Sequence, residues 1–232
     1  MEEIEAKFLD IINFFGNLNN FRKILKKNGG KKVHKMIMYK RYVFNLLTPG
    51  QKGYIRTREE NGRVTITLKT YSSESKFATE YEILLDKSST IEDAKNLLIA
   101  QGYKLKTYHE TLREKWSING CPEIAIDTIP GIPTYVELEC KNEAEIKRVA
   151  KLLGFDMKNA KYGPYVNQYI DYYDINIDDS IITIPSLTFK NIDKELLEYL
   201  KLKKKTMNTE RLNNLKKNKN EQLLLIPRGK PL

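Results

Sequence analysis

The residue types able to do chemistry recur here as pairs on one face of a strand. The opening "MEEIEAKFLD" alternates Glu3, Glu5 and Lys7 with Ile4, Ala6 and Phe8. Successive strand side chains point to opposite faces, so two acids and a base share one side and the apolar residues the other. The habit continues along the chain: Arg56 and Arg58, then Lys69 with Thr65 and Thr67, then Glu80 and Glu82, then Arg113 and Lys115, then Glu137 and Glu139. Opposite them stand Val64, Ile66 and Leu68, then Tyr81 and Ile83, then Val136, Leu138 and Cys140. In a single strand this pattern means only a half-solvated face. Its recurrence in nearly every strand asks for another reason, because exposed ion pairs contribute only about 0–1 kcal/mol each. Arg and Lys suit the oxygens of a polyphosphate, and clustered carboxylates suit a divalent cation that bridges such oxygens.

Strands with a few helices must position these faces. "GYIRTREENGRVTITLKTY" reads as a hairpin turning at Asn61-Gly62, a dipeptide that accepts the left-handed backbone of a two-residue turn. Further strands are expected over Lys35–Leu47, Phe77–Leu85, Tyr108–Ser117, Glu123–Thr128 and Thr134–Lys141, and beyond the body "IITIPSLTFK" reads as one extra strand followed by a helix from Ile192. Three helices punctuate them: Leu18–Lys27 stopped by Asn28-Gly29-Gly30, one capped by Thr90 with Asp93 as reciprocal partner, and one from Asn142 to a stop at Gly154. The reading is α+β with about eight strands, enough to close a small barrel. The apolar faces are expected against the helices, and the charged faces then line the interior.

Composition narrows the partners. With 232 residues, 41% of them hydrophobic, the chain is long enough for a sizeable core. Its net charge of +10 is concentrated: residues 201–232 carry ten Lys and Arg against two acids, which is +8 and leaves +2 for the body. Any RNA contact is therefore assigned to the basic C-terminal tail, helical at best and in part without a core-forming pattern. Two cysteines and the lack of a secretory leader point to a reducing, cytoplasmic setting, with Cys140 a buried, inert thiol. No run approaches a membrane span. Two histidines and no CxxC pair argue against zinc, so a hard, oxygen-bound ion is the metal to expect. His109 reads as a strand-edge residue rather than a base, and no GxxxxGK[ST] or GxGxxG loop occurs. Trp116 and the Tyr165, Tyr169, Tyr172 and Tyr173 cluster read as core or rim packing residues rather than a surface for stacking a base. Glu80 and Lys115 fit either an interior wall or a solvated face.

Taken in order, these segments resemble the CYTH superfamily of triphosphate tunnel metalloenzymes. "EIEAK" is similar to its ExExK signature, and "YIRTR", "TITLK", "EYE", "TLREKW", "IDTIPGIPTYVELE" and "YGPYV" follow in family order over residues 1–175. The resemblance implies an eight-stranded antiparallel β-barrel with helices outside it, and residues 176–232 as a basic extension. It implies phosphate contacts from Lys7, Arg56, Arg58, Lys69 and Arg113. Glu3, Glu5, Glu137 and Glu139 should hold Mg²⁺ or Mn²⁺, with Lys69, Glu82 and Asp127 serving the chemistry. The implied activity is hydrolysis of a small triphosphate. A class IV adenylate cyclase, an RNA 5′-triphosphatase and a non-catalytic polyphosphate- or nucleotide-binding module are the alternatives. The segment "MYKRYVF" departs from the acidic-Thr-Tyr-Phe pattern of many relatives, which touches substrate more than fold.

Overall fold

The computed structural model describes residues 2–9, 11–73, 77–163, 166–173, 184–202 and 206–227. The side chain of Glu3, together with Pro164 and Tyr165 of "YGPYV", lies outside the described residues. The strands are β1 (Glu2–Glu3), β2 (Glu5–Phe8), β3 (Lys31–Phe44), β4 (Gly53–Glu60), β5 (Arg63–Thr70), β6 (Ala78–Leu84), β7 (Leu105–Ile118), β8 (Cys121–Thr128) and β9 (Tyr135–Glu139). Their order is β1-β6-β5-β4-β3-β7-β8-β9-β2, with every neighbouring pair antiparallel.

The two ends of that order are consecutive in the chain. A single N-terminal run, interrupted at Ile4, pairs Glu2–Glu3 with β6 and Glu5–Phe8 with β9. It therefore bridges both edges, and eight strands curl into a barrel. Where β2 diverges from β6, Lys7 exchanges two 2.9 Å backbone hydrogen bonds with Lys161 and covers the seam. At the β4–β5 turn Asn61 (φ 50°) and Gly62 (φ 75°) are both left-handed, as a two-residue hairpin requires.

The helices form where the caps place them. In α2 (Leu18–Lys27) Asn17 accepts from the Asn20 N–H, and in α3 (Ile91–Ala100) Thr90 and Asp93 cap each other. In α4 (Glu143–Leu153) Asn142 accepts from Glu145 N–H, and Gly154 (φ 88°) ends the helix. A five-residue helix α1 (Ile11–Phe15) precedes α2. Helices α2 and α4 bury Phe21, Leu25, Ile146 and Val149 against Ile124, Ile126, Val136 and Leu138 from the outer faces of β8 and β9. Trp116 is in the same core and donates its indole N–H to Glu114. Helix α3 packs Leu98 on Phe44 and Ile55, and Ile91 and Ala94 on Val64.

Three outcomes differ from the sequence reading. Tyr81 and Ile83 were expected against helices, yet they are 63% and 59% exposed, because α3 packs mainly on β4 and β5. Cys140 is not a free thiol: it is joined to Cys121, since β8 and the end of β9 lie side by side. The strand expected in "IITIPSLTFK" is a two-residue β10 (Ser186–Leu187), parallel to β7 at Tyr108 and His109, while residues 181–183 lie outside the described set.

The C-terminal elements build a second core. Helices α5 (Val166–Tyr173), α6 (Ile192–Leu202) and α7 (Thr209–Leu225) surround the β8–β9 connection, with Tyr169, Tyr173, Leu196 and Leu215 against Ile129, Ile132 and Tyr135. Gln222 of α7 accepts from Gly131 N–H and donates to the carbonyls of Ile129 and Ile132. No helix among the described residues is long and apolar enough to cross a membrane.

Candidate active site

Strand alternation turns the charged faces inward, and they line a cavity of about 580 Å³ along the barrel axis. Lys7, Arg56, Arg58, Lys69 and Arg113 all reach it, as do Glu5, Glu82, Asp127, Glu137 and Glu139. Glu80 and Lys115, which the sequence left open, are also on its wall. Among the described residues eight cations and eight acids face the lumen. The two signs of charge are thus evenly represented on its wall.

Opposite charges interlock. Lys7 Nζ sits 2.7 Å from Glu5 and 3.0 Å from Glu137. Lys69 Nζ lies 3.6 Å from Glu80 and 4.0 Å from Glu5, and Arg56 donates to Glu80 at 3.1 Å. Arg113 makes a two-pronged contact with Asp127 at 2.7 and 2.6 Å and also reaches Glu123 at 2.6 Å and Glu137 at 3.2 Å. Nearer the rim, Arg58 donates to Glu82 at 3.1 Å, and Glu82 accepts from Thr67 at 2.8 Å.

These contacts decide the charge states. Burial opposes the Lys7 ammonium, but Glu137 and Glu5 outweigh it and hold the group above the usual lysine range. Burial likewise opposes the Glu137 carboxylate, yet Lys7, Arg113 and Lys69 keep it well below the usual range. Asp127 goes the other way, because burial outweighs the pull of Arg113 and raises it. Such a network is a poor way to gain stability, since removing each ion from water costs several kcal/mol. Its concentration around one lumen makes that lumen the candidate site.

Whether a divalent cation fits depends on the carboxylates. Among the described residues no three acidic, imidazole or thiol groups already close around one point. The donor set nevertheless suits a hard ion. Glu5 stands opposite Glu139 across β2 and β9, and Glu139 stands opposite Glu123 across β9 and β8. Carboxylates from three adjacent strands thus form one row of oxygen donors.

Some wall residues escaped the sequence reading. Arg41 sits between Tyr39 and Val43 on its strand face, which disguised it as part of an aromatic strand. Glu60 continues the Arg56–Arg58 face by one more alternation, a signal that was present but lay beside the turn. His109, read as an edge residue, is instead buried in β7 opposite Arg41, and it lines the lumen. Burial, helped by Arg41 and Lys106, pushes its imidazole down to about 3, so it is neutral at neutral pH. Lys161 is exposed and contributes its backbone to the barrel seam, as a surface lysine.

An antiparallel barrel whose interior is a channel of paired acids and bases defines a tunnel protein for a charged ligand. The match to the CYTH domain family over residues 1–174 makes the class specific: this chain belongs to the CYTH family. Solved structures agree on the fold. The PH1012 protein of Pyrococcus horikoshii is 20% identical, with 72% of this chain and 98% of that chain covered and a TM-score of 0.56. A conserved hypothetical protein of Pyrococcus furiosus is 19% identical over 72% and 99%, with a TM-score of 0.57. A candidate adenylate cyclase of Vibrio parahaemolyticus is 14% identical over 71% and 95%, with a TM-score of 0.55. Comparison with curated proteins gave no match.

Proposed function

We propose that this chain is a divalent-metal-dependent triphosphatase that releases the terminal phosphate of inorganic triphosphate or a small organic triphosphate. The observation that carries the reading is the interlocked lumen. Phosphate oxygens would pair with the cations Lys7, Arg56, Arg58, Lys69 and Arg113, and the carboxylates so released would be the ones to hold Mg²⁺ or Mn²⁺. No buried charge is then stranded. Membership of the CYTH family supports both halves of this exchange.

In this reading Glu5, Glu137 and Glu139, with Glu3, hold the metal, which when bound neutralises phosphate oxygens and favours ionisation of an attacking water. Lys69 and Arg58 stand where charge builds on the moving phosphoryl group and stabilise it by fixed electrostatics. Asp127 holds the Arg113 guanidinium by its two-pronged contact, which fixes the direction of that phosphate donor. Glu82, near the rim and steadied by Arg58 and Thr67, is the carboxylate placed to orient water. The catalytic unit in this proposal is residues 1–175, and residues 176–232 are its extension.

The test is product analysis. Purified protein is incubated with Mg²⁺ or Mn²⁺ and, separately, inorganic triphosphate, thiamine triphosphate and ATP, and products are resolved by chromatography. Orthophosphate is expected, with the inorganic or small organic substrate preferred over ATP. Cyclic AMP and pyrophosphate from ATP, without orthophosphate from any substrate, would overturn the hydrolase and establish a cyclase. Binding without any product would reduce the protein to a binding module.

A further inference from the structure

Tyr39 has no part in the roles assigned so far, yet its ring packs against two of the proposed phosphate-binding arginines. It belongs to β3, whose neighbours are β4 on one side and β7 on the other. These strands carry Arg58 and Arg113. The Tyr39 ring centroid lies 5.5 Å from the Arg58 guanidinium carbon and 5.7 Å from that of Arg113. Both distances fall within the roughly 6 Å reach of a cation over an aromatic face. The ring is only 1% exposed, so little water screens the attraction.

The ring itself is fixed from its far end. Its hydroxyl lies 3.0 Å from His34 Nε2, and His34 Nδ1 lies 2.8 Å from the Lys35 carbonyl. Glu60, directly opposite Tyr39 in the β3–β4 register, lies 3.5 Å from His34 Nε2 and 3.7 Å from Arg58. One aromatic side chain is therefore anchored at its hydroxyl and faces two guanidinium groups from two different strands.

Two like charges converging on one anion repel each other before the anion arrives, and long side chains lose conformational freedom when held. An anchored ring of negative face offsets both effects in the free protein. We propose that Tyr39 is a positioning residue: its ring holds Arg58 and Arg113 ready, at a set separation, to receive adjacent phosphate groups of a triphosphate chain. The inference rests on the triphosphate reading of the tunnel. It assigns the ring to binding and the hydroxyl to anchoring.

The experiment replaces Tyr39 by Phe, by a series of progressively fluorinated Phe analogues of nearly constant shape, and by Met. Affinity for inorganic triphosphate with Mg²⁺ is measured by calorimetry alongside KM and kcat, with circular dichroism as the folding control. Tyr39→Phe should stay within about 2-fold of wild type in Kd, because the ring remains. Fluorination withdraws charge from the ring face and should raise Kd and KM stepwise, reaching about 10-fold at full fluorination, with kcat nearly constant. Tyr39→Met should match the fluorinated end of the series. A flat series in a protein that binds triphosphate would overturn the positioning role and leave the tunnel reading intact. Wild type that binds no triphosphate would overturn that reading and this role with it.

Discussion

Lowering the pH from 7 to 5 should weaken the fold through one residue, His109. The imidazole is 3% exposed, faces Arg41 across the β3–β7 pair, and is held down to about 3 by burial, Arg41 and Lys106, against 6.5 for an ordinary histidine. Between those values the unfolded chain binds a proton that the folded chain refuses, so stability falls as pH drops below about 6.5. At pH 5 the unfolded state gains about 1.5 pH units of proton binding, and at pH 7 only about 0.1, a difference of about 2 kcal/mol at 1.36 kcal/mol per unit. The assay is urea unfolding of wild type and His109→Gln at both pH values. Other groups titrate identically in the two proteins, so the comparison isolates this one. Wild type should lose about 2 kcal/mol more than the variant between pH 7 and 5. Equal losses in the two proteins would refute the argument that His109 is buried in its neutral form.

Three further outcomes are expected. Glu5→Gln and Glu139→Gln should each cut triphosphate turnover by orders of magnitude while circular dichroism shows the fold intact, and excess chelator should stop turnover until Mg²⁺ or Mn²⁺ is restored. Glu114→Ala should lower stability by about 2 kcal/mol, or ~4–8 °C in melting temperature, because the buried carboxylate accepts from Arg22 and Trp116 and lies 3.1 Å from Lys32. Turnover per folded molecule should be unchanged, since the cluster lies outside the lumen. Gln222→Ala should lower stability by about 1–3 kcal/mol by leaving Gly131 N–H and two carbonyls unsatisfied. Hydrogen exchange should show the loss first at residues 129–132.

The fold was legible wherever local chemistry dictates local shape. Asn61-Gly62, the Thr90–Asp93 caps and the Asn142 to Gly154 helix each form as their residues demand, because a turn or cap is decided within four or five positions. What escaped was decided by distant partners. The alternation of Tyr81 and Ile83 resembles that of Val136 and Leu138, yet only the second pair is covered, since α4 lies over β9 whereas α3 packs mainly on β4 and β5. The Cys121–Cys140 bond depends on β8 and β9 being neighbours, which spacing alone does not reveal. Helix α7 looked like a solvated basic tail because it buries little beyond Leu215 and one polar residue, Gln222, whose value appears only against the 129–132 turn.

For the site, alternation disclosed which charges share a face but not which charges meet. Glu80 and Glu82 differ by one repeat, and the barrel gives them different partners: Glu80 joins Arg56 and Lys69 at depth, whereas Glu82 joins Arg58 near the rim. Lys7 sits between Glu5 and Glu137 although the chain separates it from Glu137 by most of the barrel. That pairing explains how a protein can keep so many ions in its centre without a ligand. In the proposed triphosphatase, each acid would stand in for phosphate on a neighbouring cation, and each cation for metal on a neighbouring acid. Removing one member then strands its partner, so a neutral replacement in the lumen should disturb affinity for both metal and triphosphate. A substitution at Glu114, whose partners lie outside the barrel, should disturb neither.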